Sequence, residues 1–322
     1  MKLNLTNMLL YYMMLIATLL SVSSNNWMMM WSGLEISLMS FIPLMSGGML
    51  GSESSMKYFI VQSISSSLLV MSIMLMMMTK MHYNFLFLIS LVMKMGIAPF
   101  HNWVLSIISS LNYQMVFILF TIMKVTPLVM MSYLNEYNDL FIFISLIIGS
   151  IFSLNQNNIR KLMAYSSIYN MSYIMSSINM NSIWMTYLMI YSIILMLLLA
   201  MFLKLKINYI NQLSMNEFSL IIKTNLWISM LSLGGMPPLL GFLPKLIIFQ
   251  MMILKKMFFL LVIMTLTSLI MMFFYMRMVF FAFMNYSVML KHNIKYNSKL
   301  LLWPTFININ MFPIMLSMKY LT

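Results

Sequence analysis

Long apolar runs alternate with short polar stretches along the whole chain, and charged residues seldom interrupt the runs. A membrane-spanning helix needs about 20 apolar residues, so these runs predict about eleven transmembrane helices. The runs lack the strict alternation of a membrane β-strand, and we therefore expect an all-α polytopic membrane protein rather than a barrel. The expected segments are residues 6–22, 26–45, 56–79, 84–110, 112–134, 139–155, 159–178, 182–203, 220–254, 257–283 and 300–318.

Two of these segments carry helix-breaking residues beside a lysine. Segment 4, residues 84–110, has Gly96 and Pro99 just after Lys94. Segment 9, residues 220–254, is too long for one straight crossing, and the motif GGMPP interrupts it ahead of Lys245. Irregular backbone at membrane depth is tolerated only inside protein or beside a water-filled cavity. Segments 4 and 9 are therefore expected to be broken helices that build a functional site.

The positions of the breaks predict an internal repeat. The broken segments are five apart, and an odd number of crossings reverses the topology of the second unit. Interrupted segments at corresponding positions in two halves are typical of inverted repeats. We expect a first five-helix repeat at residues 1–134, a second at 139–283, and a loop with a C-terminal transmembrane helix at 284–322.

The amino-acid composition indicates a membrane protein and argues against several other classes of protein. The chain is 62% hydrophobic and only 7% charged, against about 25% charged residues in soluble domains. Its net charge of +13 comes from single basic residues between apolar runs, which argues against nucleic-acid binding. The absence of cysteine excludes disulfides, thiolate-held iron–sulfur clusters and c-type haem. The three histidines are not paired at metal-ligand spacing, so we expect no metal site.

Loop charges predict the orientation of the chain. Eleven basic residues fall on the side of the N-terminus and four on the other side, which by the positive-inside rule puts the N-terminus inside and the C-terminus outside. The first group is Lys2, Lys57, Arg160, Lys161, Lys204, Lys206, Lys223, Arg277, Lys291, Lys295 and Lys299, and the second is Lys80, Lys255, Lys256 and Lys319.

Four ionisable residues are expected at membrane depth: Glu35, Lys94, Lys124 and Lys245. Such residues are costly in a bilayer, and their default interpretation is functional. Burial disfavours the charged form of a lysine, whereas a nearby carboxylate favours it. The group can therefore relay protons or respond to charge movement elsewhere. The alternative is a static ion pair between Glu35 and one lysine, although one carboxylate cannot neutralise three lysines.

Three further features leave alternatives open. His101 either extends a proton path or is a helix-end histidine that bonds to the backbone. The run Tyr165–Tyr173 either lines a wet path or forms hydrogen bonds between helices. The tryptophans, Trp103 among them, are interpreted as interfacial anchors.

Five motifs together resemble one known family. They are WSGLEISLMSFIPL around Glu35, MKMGIAPFHNWV around Lys94, IMKVTPL around Lys124, LNQNNIRKLMAYSSI from Leu154, and LSLGGMPPLLGFLPK ending at Lys245. In this order they resemble the NADH dehydrogenase subunit 2 family of mitochondrial NADH:ubiquinone oxidoreductase (respiratory complex I), in an insect-like animal form. The resemblance extends from about residue 26 to residue 318.

The resemblance implies an antiporter-like fold of two inverted five-helix repeats, each with a broken helix. It implies a core subunit of the membrane arm that takes part in proton translocation coupled to NADH oxidation by quinone, with no redox chemistry in the chain itself. By the family pattern, Glu35 and Lys94 form the coupled pair, Lys124 is the central lysine and Lys245 the distal one.

The resemblance also implies cofactors, partners and location. No cofactor is expected on this chain, because NADH, FMN, the iron–sulfur clusters and ubiquinone are handled by other subunits. The expected partners are other membrane-arm subunits, including further antiporter-like ones, and lipids such as cardiolipin. The expected location is the mitochondrial inner membrane, with the N-terminus on the matrix side and the C-terminus on the intermembrane-space side. A free-standing cation/proton antiporter and a scaffold subunit without transport are the alternatives.

Overall fold

The computed structural model describes residues 5–78, 84–134, 138–179, 183–215 and 220–284, together with the single positions 306, 308, 310 and 313. Over these residues the chain is helical, with one isolated β-bridge between Asn158 and Tyr209 and no strand. It divides into two compact units, Met1–Phe141 and Ile142–Thr322. Apart from the single positions, the expected segment 300–318 lies outside the described residues. So do the loop lysines Lys2, Lys80, Lys291, Lys295, Lys299 and Lys319.

The described residues of the first unit form seven helices and the start of an eighth. α1 packs on α2, α2 on α3, and α3 on both α4 and α5, while α7 contacts α1, α2 and α4. The bounds are α1 Leu5–Ser23, α2 Trp27–Met45, α3 Gly48–Met78, α4 Asn84–Met95, α5 Asn102–Ile108, α6 Tyr113–Phe120, α7 Ile122–Ser132 and α8 Asp139–Ser153.

The second unit is built around α9. Nearly every residue of α9 is buried although the helix is rich in serine and tyrosine, and it contacts α10 and α13. α14 packs against α11, α12 and α13. The bounds are α9 Ile159–Ser177, α10 Ile183–Leu205, α11 Ile210–Met215, α12 Leu220–Gly234, α13 Phe242–Leu254 and α14 Phe258–Met284.

Buried serine hydroxyl groups are satisfied within their own helices. The hydroxyls of Ser65, Ser72 and Ser90 each donate to the carbonyl three residues earlier, at 2.6–2.8 Å. This bonding lets a serine lie in an apolar environment without an unpaired polar group. It suits helices that cross a membrane.

Six helices in the described part of the chain are long and apolar enough to span a membrane, with α6 and α7 counted as one. α4, α8 and α13 are shorter apolar helices. The predicted breaks in segments 4 and 9 are confirmed, because α4 is separate from α5 and α12 from α13.

Three sequence expectations need correction. α3 begins at Gly48 rather than residue 56, because its polar first turns carry a Glu53–Lys57 ion pair at i,i+4 that supports an exposed helix end. Segment 5 is interrupted at Thr121, whose hydroxyl donates to the Phe117 carbonyl one turn earlier. A side chain bonded into the ladder and a nearby proline, Pro127, are recognised causes of helix kinks. Residues 210–215, expected as a loop, form the short helix α11.

Candidate functional site

The break after Lys94 is a helix end closed by a glycine. Gly96 has φ +67°. Its N–H donates to the Met93 carbonyl, and the N–H of Ile97 donates to the Val92 carbonyl. These two bonds define a Schellman motif with glycine in the left-handed position. A Cβ at Gly96 would lie 2.2 Å from Val104 Cγ2, so this site needs glycine for space as well as for conformation.

Two side chains that were not predicted as part of the site also donate to carbonyls of this break. The indole N–H of Trp103 donates to the Met93 carbonyl at 3.2 Å, and the Gln62 amide donates to the Lys94 carbonyl at 3.2 Å. Trp103 thus bridges the break in addition to any anchoring role. Gln62 is a buried polar residue within an apolar run, and that pattern is the signal that could have identified it.

Glu35 and Lys94 form an ion pair. The Lys94 Nζ lies 3.6 Å from Glu35 Oε1, and the side chains are 2% and 25% exposed respectively. Lys94 occupies the last turn of α4, where the helix dipole favours a positive charge. The carboxylate and the carbonyl end of the half-helix therefore stabilise the same ammonium.

Lys94 and Lys124 line one buried cavity. The cavity offers about 20 Å³ to the centres of water molecules, which is room for about one water. Tyr58, Gln62 and Trp103 also line it. Lys124 follows the kink at Thr121, and its Nζ lies 5.2 Å from the centre of the Phe120 ring. Among the described residues, no carboxylate lies within 4 Å of this ammonium.

The break before Lys245 repeats the local chemistry of the first. Gly235 has φ +85°. Its N–H donates to the Leu231 and Ser232 carbonyls, and the Met236 N–H donates to the Leu231 carbonyl. The Lys245 Nζ donates a hydrogen bond of 2.7 Å to the Gly234 carbonyl at the end of this helix. At both breaks a side chain therefore donates to a carbonyl at the end of the half-helix. At the second break that side chain is the lysine itself.

Two aromatic rings also lie close to the Lys245 ammonium. The Nζ lies 5.3 Å from the centre of the Tyr169 ring and 5.7 Å from that of Tyr173. Tyr169 donates its hydroxyl to Tyr173 at 2.9 Å, and Tyr173 donates to the Met264 carbonyl at 2.9 Å. The run Tyr165–Tyr173 thus forms hydrogen bonds between helices.

A second small cavity adjoins Lys245. It offers about 10 Å³ to water centres and is lined by Lys245, Asn170, Tyr187 and Tyr191 among others. Tyr187 donates to the Asn170 amide oxygen at 2.9 Å. Polar groups therefore line this side of the lysine side chain. The interpretation of the Tyr165–Tyr173 run as the lining of a wet path stays a prediction.

Two further ionisable side chains, His101 and Lys223, lie outside the two cavities. The His101 Nδ1 lies 3.2 Å from the Pro99 carbonyl oxygen, and its side chain is not among those lining the Lys94 cavity. Lys223, counted from the sequence among the basic residues on the side of the N-terminus, lies in the first turn of α12 and is buried at 6% exposure. Among the described residues, no group of three or more His, Asp or Glu side chains could hold a metal ion.

Each unit thus contains a broken helix whose carbonyl end lies beside a buried lysine. Such an arrangement can hold, release and exchange a proton at a lysine nitrogen, because the stability of the charged form depends on partners that can move. The first unit adds a carboxylate partner and a second lysine on the same cavity.

Comparison with known proteins identifies the family. A family model described as "NADH:quinone oxidoreductase/Mrp antiporter, TM" matches residues 24–85 and 76–271. The NADH-ubiquinone oxidoreductase chain 2 of Anopheles gambiae is 40% identical over 260 residues, which cover 76% of each chain. The corresponding chain of Locusta migratoria is 36% identical over 251 residues, covering 74% of this chain and 73% of that protein.

The fold has a counterpart in a solved structure. A chain from respiratory complex I of Thermus thermophilus with bound aureothin matches with a TM-score of 0.83 at 19% identity, over 96% of this chain and 78% of that one. At this identity the match establishes a shared fold. With the family model and the insect relatives, it follows that the chain belongs to the NADH-ubiquinone oxidoreductase chain 2 family, within the NADH:quinone oxidoreductase/Mrp antiporter membrane proteins.

Proposed function

We propose that this chain is a core membrane-arm subunit of the proton-translocating NADH:ubiquinone oxidoreductase of the mitochondrial inner membrane. Family membership, the animal origin of the relatives and the apolar helices support this assignment. The observation that carries the mechanism is the Glu35–Lys94 ion pair, whose lysine lies beside a helix break and lines a cavity together with Lys124. The chain contributes charge and proton movement, while the redox steps occur on other subunits.

The first step of the mechanism is the control of Lys94 by Glu35. While the pair is closed at 3.6 Å, the carboxylate holds the lysine protonated. When the pair opens, the Lys94 ammonium loses its counter-charge in a buried environment, where an unpaired charge is costly. The Nζ then gives its proton to water in the cavity, and the free amine of Lys124 accepts that proton. The shared cavity supports this order of transfer.

The second step concerns Lys245, which acts as the distal charge of the second unit. The similar Schellman ends at Gly96 and Gly235 support two inverted five-helix repeats, with an eleventh helix in the C-terminal region. His101 is a possible relay at the first break, and its bond to the Pro99 carbonyl is the alternative.

Orientation, cofactors and partners complete the proposal. The loop charges support an N-terminus on the matrix side and a C-terminus on the intermembrane-space side. The chain binds no cofactor, and NADH, FMN, the iron–sulfur clusters and ubiquinone belong to other subunits. Its partners are other membrane-arm subunits, antiporter-like ones included, and lipids such as cardiolipin.

The assignment is tested by extracting the native membrane in mild detergent, separating assemblies by native electrophoresis and identifying the peptides of this chain. Migration in a very large assembly that oxidises NADH supports the proposal. Migration alone or as a small oligomer refutes it and favours a free-standing cation/proton antiporter. If a Lys124→Met complex assembles, oxidises NADH and pumps normally, the chain is a scaffold.

A further inference from the structure

The environment of Lys245 differs from that of Lys94 in two respects. Lys245 is 4% exposed, and among the described residues no carboxylate lies within 4 Å of its Nζ. Lys245 also lies in the first turn of α13, the helix end at which the dipole disfavours a cation. A buried ammonium in this position needs another source of negative potential.

Three groups supply that potential. The Gly234 carbonyl at 2.7 Å is at the C-terminal end of α12, where the helix dipole is negative. The ring centres of Tyr169 and Tyr173 lie 5.3 and 5.7 Å from the Nζ. An ammonium within about 6 Å of an aromatic ring centre is attracted to its face, and the attraction is stronger where water is excluded.

The two rings are held in place by their hydroxyl groups. Tyr169 and Tyr173 are four residues apart on α9, so they face the same side of the helix. The chain of hydrogen bonds from Tyr169 through Tyr173 to the Met264 carbonyl fixes both rings against α14. Gly235 also leaves the ammonium room, because a Cβ there would lie 2.9 Å from the Lys245 Nζ.

We propose that Tyr169, Tyr173 and the Gly234 carbonyl form an aromatic cage that replaces a carboxylate as the partner of the protonated Lys245. The tyrosines are positioning residues, and their ring faces rather than their hydroxyl groups stabilise the charge. The inference rests on the proposed function, in which Lys245 carries a charge during proton translocation.

The experiment compares substitutions that keep the ring with substitutions that remove it, in the whole complex reconstituted into liposomes. Tyr169→Phe and Tyr173→Phe keep both ring faces but remove the hydroxyl groups that hold them, so we expect each to pump fewer protons per NADH than the parent but clearly more than its Leu counterpart. Tyr169→Leu and Tyr173→Leu remove one ring each. We expect about tenfold lower pumping from the Leu variants, the scale of a desolvated cation–π contact. Native electrophoresis measures assembly, and Met replaces Leu at any site where the Leu variant does not assemble.

Two outcomes overturn the cage. If the Phe variants lose as much pumping as the Leu variants, the hydroxyl chain is what matters. If the ring-deleting variants pump normally, the rings contribute nothing. Lys245→Met separates this result from the proposed function, since normal pumping in that variant refutes the role of the lysine itself. In the Lys245→Met background the cage also requires that ring removal has no further effect, because the two changes act on the same charge.

Discussion

Glu35→Gln is the change that most directly tests the Glu35–Lys94 pair. At 3.6 Å, two opposite charges attract by roughly 4–5 kcal/mol at an effective dielectric constant of about 20. The Glu35 side chain is 25% exposed, and screening through that exposed part reduces the figure to about 2–3 kcal/mol. Glutamine keeps the size and the hydrogen-bonding oxygen but removes the charge. The equilibrium constant that favours the charged form of Lys94 over the neutral form should therefore fall by a factor of roughly 30 or more.

The assay is NADH oxidation by quinone and proton uptake by liposomes that contain the purified complex. We expect both rates to fall by at least about tenfold in Glu35→Gln, in proportion to the lost population of the charged pair. Glu53→Gln is the matched control, because Glu53 forms the exposed i,i+4 pair with Lys57 and should leave both rates unchanged. Unchanged oxidation and pumping in Glu35→Gln would refute the pairing mechanism.

Three further changes test other parts of the site. Gly96→Ala should reduce the amount of assembled complex on native gels, since a Cβ would collide with Val104, whereas Gly48→Ala has similar φ strain but open space and should assemble well. Lys124→Met should assemble but pump at least about tenfold fewer protons in the liposome assay, because the cavity loses its acceptor. Gln62→Leu leaves the Lys94 carbonyl unpaired and should destabilise the complex by about 1–3 kcal/mol, seen as a lower thermal midpoint.

The helix breaks could be predicted from the sequence because their chemistry is local. Gly96 and Gly235 both adopt the left-handed backbone that glycine favours, and both end a helix through bonds between residues five apart or fewer. Proline follows each of them within three residues. The burial of Lys94, Lys124 and Lys245 could be predicted by an equally local rule, that charge at membrane depth is costly and is kept inside the protein.

Apart from the Glu35–Lys94 pair, which the family resemblance implies, the partners of these residues could not be predicted, because they depend on packing between helices. Gln62 reaches the Lys94 carbonyl from another helix, and Trp103 crosses the break, although a tryptophan at the end of an apolar run is also typical of a membrane-interface anchor. The burial of Lys223 could not be predicted either, because hydropathy indicates where a helix begins but not which neighbours pack against its first turn. The distance from Lys94 to Glu35 likewise depends on how α2 and α4 are arranged.

The sequence contains a charge imbalance, one membrane-depth acid for three lysines, and the structure offers a physical account of it. Among the described residues, Lys94 has a carboxylate partner, and Lys245 has a carbonyl and two ring faces. Lys124 has one ring face, 5.2 Å away, and lines a cavity with Lys94. Partners of different strength stabilise a buried ammonium to different extents. Lys124, with the weakest partner, should exchange its proton most readily. Lys94 should exchange only when Glu35 moves, and for this reason a conformational change that shifts Glu35 is sufficient to start proton movement in the first unit.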